Sequence, residues 1–343
     1  MKTTAQPFVK WLGGKRQLLA QLLPILGKAE CATYYEPFVG GGAVFFALAR
    51  QKAFTHAVLN DLNPDLHAAY SAIQGNVSAL VSTLKTFPVE REFFDDLRLR
   101  TPSSTLERAA RLMYLTRTSF NGLYRVNSKG QFNAPWGSYL NPRICDEPNL
   151  NLVHEALKGV TLKCEDFEQA VGNAQRGDLV YFDPPYVPLN PTSSFTAYTS
   201  NGFGVQEHLR LYKTFLELTH KGVNVVLSNS DTPFVRSLYQ DWTLNKVLAR
   251  RNVNSKGTLR GPVGELIVTN FQEVCTPTPM TMQRGVELLH SVYSRLPWFQ
   301  AIGQTPEGII LYVKKKLRVL QGLEASGWLG FPVKVVKLEV EVV

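Results

Sequence analysis

An aspartate, two prolines and a tyrosine in succession, Asp183-Pro184-Pro185-Tyr186, are the residues of this 343-residue chain best suited to chemistry on a planar amine. They follow the short apolar run Leu179-Val180-Tyr181-Phe182, which reads as a buried parallel strand. In an open α/β sheet, ligands bind just past the carboxyl ends of strands, where the strand order switches. Asp183 can accept a hydrogen bond there from an amino group. Pro184 has no N–H, so its turn offers carbonyl oxygen without a competing donor, and Tyr186 can stack on a ring. An exocyclic amine of a purine or pyrimidine would meet two acceptors and one aromatic face. Taken alone, the same residues also fit a plain turn ending a strand, so the elements around them decide.

Two of those elements lie upstream. Tyr34-Tyr35-Glu36-Pro37-Phe38-Val39-Gly40-Gly41-Gly42 runs an aromatic strand into three glycines and then an apolar helix. Glycines at that point let a ligand approach the backbone and meet a helix N-terminus. About twenty residues on, Ala57-Val58-Leu59-Asn60-Asp61 supplies a second strand ending in an acid, the distance at which dinucleotide folds place a ribose ligand. The glycines are not spaced GxGxxG and Glu36-Pro37 precedes them, so an adenosine-bearing ligand fits better than a nicotinamide dinucleotide. A tight turn with an exposed Asp61 is the plainer alternative. Near the start, Trp11-Leu12-Gly13-Gly14-Lys15 lacks the spacing of a phosphate loop. It suits a lid, with Trp11 as an apolar wall and Lys15 as a carboxylate partner. Glu165-Asp166-Phe167 ends a further short strand, placed to contact an adenine ring.

Between these pieces the composition changes. Residues 64 to 115 carry helical apolar spacing, as in Leu66, Tyr70 and Ile73. The stretch from Thr116 to Gly137 is then rich in Asn, Gly, Arg and aromatics, with a hairpin turn expected at Asn127-Ser128-Lys129-Gly130. Arg, Asn and aromatics on a protruding hairpin are side chains that read base edges and fill gaps in a base stack; an ordinary surface hairpin is the alternative. Polar loops are expected from Pro188 to Gly204 and, with basic residues, from Ala249 to Gly261. After a linker at Thr276-Pro277-Thr278-Pro279, the tail reads as a small α+β unit: a helix around Val286, Leu289 and Val292, a strand from Gly308, a helix from Leu317 to Ala325 and a strand from Val333. Lys314-Lys315-Lys316 fits a solvated charge run.

Composition sets outer bounds. The net charge of +9, from 37 Lys+Arg against 28 Asp+Glu, favours a polyanionic partner. No apolar run is long enough for a membrane helix and the N-terminus lacks a secretory core, so a cytoplasmic protein with no membrane partner is expected. The four cysteines are scattered without a CxxC pair, which argues for reduced thiols and no metal site.

In their order, FVKWLGGKRQLL, YYEPFVGGGAVFFAL, LNDLNPDL, FNGLYRVNSKGQFNAPWG, CEDF and YFDPPY resemble the Dam-type DNA adenine N6-methyltransferases, over Phe8 to Phe271, roughly four-fifths of the chain. The resemblance implies an α/β, Rossmann-like S-adenosylmethionine-dependent methyltransferase sheet, residues 1–63 and 155–275. A mainly helical target-recognition domain, 64–154, is inserted in it, and the small α+β appendage, 276–343, lies outside the resemblance. It implies S-adenosylmethionine as cofactor and double-stranded DNA as substrate, and leaves room for a cognate restriction endonuclease as partner. By motif, Trp11, Lys15, Glu36, Phe38, Gly40, Asp61, Asp166, Phe167 and Asp183 should line the cofactor site, and Asp183, Pro184 and Tyr186 should hold the target adenine. In the family the hairpin reads GATC. At the matching positions Arg125 should bond a guanine, Leu123 and Pro135 should meet a thymine methyl, Phe120 should enter the stack and Asn121 should meet the orphaned base. Trp136 is a larger ring than the family leads one to expect there. Cytosine N4-methylation and a non-catalytic DNA-binding regulator are the rival readings. Asp183→Ala should abolish transfer and leave the fold intact.

Overall fold

A computed structural model describes residues 4–127, 129–187, 203–250, 262–271, 280–293, 299–313 and 331–337. The expected turn residue Ser128, most of the loop at 188–204, residues 251–261 of the basic loop, the linker, the lysine run and the helix at 317–325 lie outside them. Two compact units divide at the peptide between Asp183 and Pro184, with residues 221–224 returning to the first.

In the first unit, strands β1 (Thr33–Glu36), β2 (His56–Asn60), β3 (Thr161–Lys163) and β4 (Leu179–Phe182) lie in the order β3-β2-β1-β4, all parallel. The chain leaves β1 for β2 on one side and later reaches β4 on the other. That places a switch point at the carboxyl ends of β1 and β4. All four residues of β4 are buried, as its unbroken apolar run predicts for a strand covered on both faces. Helices α1 (Leu19–Leu26) and α2 (Ala43–Gln51) pack together, and α2 starts directly from the glycine stretch at Gly42, which has a left-handed φ of 73°.

The helices expected from the apolar spacing after Pro64 form as α3 (Pro64–Lys85), α4 (Arg91–Leu97) and α5 (Thr105–Thr118), followed by α6 (Glu147–Ala156) and the single turn α7 (Phe167–Ala170). Asn63 caps α3, its side chain accepting the N–H groups of Asp65 and Leu66, with Pro64 at the first helical position. Between α5 and α6 the hairpin is held by two isolated bridges, Ser119 with Trp136 and Val126 with Phe132. Its turn is organised by Asn127, whose side-chain oxygen accepts from the N–H groups of Lys129 and Gln131. Trp136 packs against Phe94 of α4, ring centroids 5.2 Å apart. Its size therefore serves the join between hairpin and helices.

The second unit holds α8 (Val205–His220), β5 (Asn224–Ser230, all but its first residue), α9 (Pro233–Leu238), β6 (Thr243–Arg250) and β7 (Pro262–Thr269). β7 pairs antiparallel with both β5 and β6. Beyond them lie α10 (Met282–Tyr293) and a three-stranded sheet of β8 (Phe299–Thr305), β9 (Gly308–Val313) and β10 (Val333–Lys337). The tail helix is tied to α9 and to the turn after it. Arg284, 5% exposed, pairs with Asp241 at 2.5 Å and donates to the carbonyls of Ser237 and Leu238.

Candidate active site

The first unit brings most of the expected site residues to the carboxyl ends of β1, β2 and β4. Asp183 follows the last residue of β4, and its Oδ1 lies 2.8 Å from Lys15 Nζ, which also donates to the Gly13 carbonyl. Lys15 is 6% exposed. The carboxylate that Lys15 partners is thus the chain's own Asp183. A buried ammonium is held by a carboxylate and a carbonyl, as a desolvated charge requires.

Glu36, last in β1, is fully buried and accepts a hydrogen bond from the Tyr34 hydroxyl at 2.9 Å. Burial pushes its carboxyl up to about 8; the charge of Asp183 adds to the rise, while the Tyr34 hydroxyl, the Phe45 N–H and Lys15 oppose it. Asp61, just past β2, accepts from the Gly40 N–H at 3.0 Å and from the Asn63 N–H at 3.0 Å. Burial raises its pKa and those two N–H groups hold it back. Gly40 has φ +49°, and a Cβ there would lie 2.8 Å from the Trp11 ring. Trp11 therefore sits directly on the glycine turn. Phe38, Phe167 and Phe182 form an aromatic cluster, with Phe38 5.6 Å from Phe167 and 6.3 Å from Phe182. Asp166 caps α7 through the Glu168 N–H.

Asn60, outside the expected set, also belongs to the site's framework. Its amide donates to the carbonyls of Pro37 and Glu165 and accepts from the Glu165 N–H. One buried side chain thereby joins the loops after β1, β2 and β3. An asparagine inside an apolar strand is the signal that could have found it, because a buried amide needs partners.

In the second unit, the Tyr186 hydroxyl donates to Glu265 Oε2 at 2.8 Å. Asn229 and Ser230, at the end of β5, hold the next residue from both sides. The Val187 N–H donates to Asn229 Oδ1, and Ser230 Oγ donates to the Val187 carbonyl. Glu265 on β7 is opposite Ser230 in the strand register. The two residues after the double proline are thus fixed by side chains more than forty positions away.

The hairpin residues share the first unit. Arg125 donates from Nε to Asn133 Oδ1 at 2.8 Å and from Nη2 to the Asn133 carbonyl at 2.9 Å, and remains exposed. Phe120 is 51% exposed beside Asn121, which has φ 55°. The Phe120 N–H donates to the Pro135 carbonyl. Leu123 is half-buried. The Lys10 ammonium, absent from the expected set, lies 5.2 Å from the centre of the Tyr139 ring.

The chain is also similar to proteins of known class. Residues 11–253 match the pattern of the D12 class N6 adenine-specific DNA methyltransferases. The chain belongs to that family. A Type II methyltransferase of Lactococcus lactis subsp. cremoris, M1.LlaDCHI, is 45% identical over 280 residues, covering 79% of this chain and 97% of the relative. M.MjaIII, a Type II methyltransferase of Methanocaldococcus jannaschii, is 39% identical, covering 78% and 99%. The DNA adenine methylase of Escherichia coli K12 is 33% identical, covering 79% and 97%. The methyltransferase is therefore an adenine-specific enzyme of mixed α/β fold, with S-adenosylmethionine as methyl donor and DNA as substrate. This decides for adenine N6 over cytosine N4 and for an enzyme over a non-catalytic regulator. Among the described residues no group of three or more metal-ligating side chains occurs, and no helix is long and apolar enough to cross a membrane.

Proposed function

We propose that the methyltransferase modifies N6 of a flipped adenine within GATC in duplex DNA. Asp183, Pro184 and Tyr186 hold the base, and Trp11, Lys15, Glu36, Phe38, Gly40, Asp61, Asp166 and Phe167 form the cofactor side. The observation that carries this reading is the Asp183 carboxylate, fixed by Lys15 at the end of a buried strand. The residues present suit the cofactor: a glycine turn with no room for a side chain, a carboxylate at the ribose position, and a buried Glu36 whose raised pKa awaits a cation. When bound, S-adenosylmethionine supplies an electrophilic methyl group on a sulfonium.

The chain's own part is to prepare the nucleophile. The adenine amine lone pair is delocalised into the ring, which makes the amine weak. Asp183 and the Pro184 carbonyl, accepting its two N–H groups, favour a pyramidal nitrogen with the lone pair free to attack. They also meet the positive charge that develops there, so they act most strongly in the transition state. Extruding the base costs a few kcal/mol, offset by stacking on Tyr186, whose ring is oriented through Glu265. In the hairpin, Arg125 bonds O6 and N7 of a guanine, Leu123 and Pro135 contact a thymine methyl, and Phe120 with Asn121 fills the vacated stack.

A duplex carrying a fluorescent adenine analogue at the GATC adenine tests the flipping. A fluorescence rise on binding is the expected result; an unchanged signal with binding intact would overturn it. The Type II names of two relatives favour a cognate restriction endonuclease as partner. If GATC-methylated DNA resisted no endonuclease activity of the source cells, that would count against it.

Two further outcomes follow from the cofactor side. Gly40→Ala places a side chain at positive φ against Trp11, which costs about 1–3 kcal/mol of backbone strain. Calorimetric titration should show cofactor affinity reduced at least roughly fivefold. Glu36 keeps its proton up to about pH 8, against an ordinary 4.5. Over that range the native state binds more protons than the unfolded chain. Its contribution to stability is therefore present at low pH and lost as pH rises through about 8. A cationic ligand beside it favours the ionised form. Cofactor binding near pH 7 should thus release protons, read as a dependence of binding heat on buffer ionisation enthalpy. Glu36→Gln should remove that release.

A further inference from the structure

Tyr124 lies between the two proposed readers, Leu123 and Arg125, and its side chain is held at both ends. The hydroxyl donates to Asp65 Oδ2 at 2.9 Å, and the ring packs on Trp11 with centroids 5.1 Å apart. Phe132 closes the ring edge-on at 5.9 Å. Asp65 is itself fixed. It is 7% exposed in the first turn of α3, and its other oxygen accepts from Arg108 Nη1 at 2.9 Å. Arg111 lies 4.0 Å from Oδ2. A buried carboxylate gripped by a guanidinium is a rigid acceptor, because such charge-assisted bonds are strong and directional.

Both anchors lead back to the glycine turn. The Asp65 N–H donates to Asn63 Oδ1, and the Asn63 N–H donates to Asp61 Oδ1. Asp61 in turn accepts from Gly40, on which Trp11 sits. A core-filling ring would require none of this, since phenylalanine fills the same space. The hydroxyl has a specific buried partner, and burial together with the Asp65 charge pushes its pKa up to about 12, so it remains a donor at working pH.

We propose that Tyr124 is a positioning residue for sequence reading, anchoring the loop of Leu123 and Arg125 to Asp65 and Trp11, so that cofactor loading sharpens sequence discrimination. This rests on the assignment of Leu123 and Arg125 as readers. A ligand against Trp11 restricts the wall on which Tyr124 packs, and the loop carrying both readers loses freedom with it. Such a coupling is reciprocal, so cognate DNA must raise cofactor affinity by the same factor.

Tyr124→Phe keeps the ring and removes the bond to Asp65. Competitive binding would compare a GATC duplex with one altered at a single base pair, each with and without S-adenosylhomocysteine. In the unaltered enzyme the cofactor product should increase the GATC preference. In Tyr124→Phe the preference should fall roughly tenfold and its cofactor dependence disappear. S-adenosylhomocysteine affinity without DNA and the thermal midpoint should stay close to those of the unaltered enzyme. An unchanged preference would overturn the proposal, as would a lost preference accompanied by equal losses in cofactor affinity and midpoint. Arg125→Ala, measured alongside, separates the two layers. A preference that survives it removes the reader assignment and this proposal together. A preference lost in Arg125→Ala but kept in Tyr124→Phe removes this proposal alone.

Discussion

Asp183→Ala is expected to lower single-turnover methyl transfer from labelled S-adenosylmethionine by at least roughly 10²–10³-fold, the range for removing one hydrogen-bonding group aimed at developing charge. Positioning of the amine is lost as well, so the lower figure is a floor. The fold is also affected, contrary to what sequence alone suggests. Asp183 is the carboxylate partner of Lys15, and Lys15 is buried. Removing one member of such a pair leaves an uncompensated charge, which costs about 3–5 kcal/mol when burial is complete and less here, where the Asp183 side chain is 16% exposed. Asp183→Asn separates the two effects. It retains shape and a carbonyl acceptor for Lys15, so the thermal midpoint should recover toward that of the unaltered enzyme while transfer stays low. Restoration of both would assign Asp183 a structural role only.

Arg125→Ala carries the second large effect. A guanidinium matched to O6 and N7 of guanine contributes about 1–3 kcal/mol of discrimination, or roughly five- to 150-fold in kcat/KM between GATC and a duplex altered at that guanine. Arg125 is suited to this because its fork is held in advance. Nε and Nη2 are engaged by Asn133, and a side chain already fixed gives up little entropy on binding. The variant should lose activity on GATC and keep most of its low activity on the altered duplex. A phosphate-contacting arginine would behave differently. Its loss would weaken both duplexes alike and reduce the salt dependence of binding.

What could be read in the sequence was local. The unbroken apolar run of β4, the glycine turn and the acid ending β2 each declare themselves within a few residues, and the structure forms them where expected. The helices after Pro64 followed from 3.6-residue spacing, and α10, β9 and β10 from the patterns of the tail, whereas β8 carries no such signal. Strand β6 was not anticipated. It pairs on one side only, with β7, and its Asn245 and Lys246 interrupt the apolar alternation, as charged and polar residues do on sheet edges. The larger omission concerns partners distant in sequence. Lys15 with Asp183, Asn60 with Glu165, Tyr124 with Asp65 and Tyr186 with Glu265 are pairs separated by 59 or more positions, and no periodicity marks them. These pairs decide which residues are held rigid. Residue types therefore pointed to the reaction, while the contacts that orient Asp183, Tyr186 and the loop of Leu123 to Arg125 emerged only from the fold.

The most direct measurement is methyl transfer from labelled S-adenosylmethionine to three duplexes that differ only in carrying GATC, GTTC or GATT, with the labelled base identified after digestion. Label confined to the GATC duplex and recovered as N6-methyladenine is the predicted result. Equal labelling of the GATC and GATT duplexes, or label recovered on another base, would contradict it.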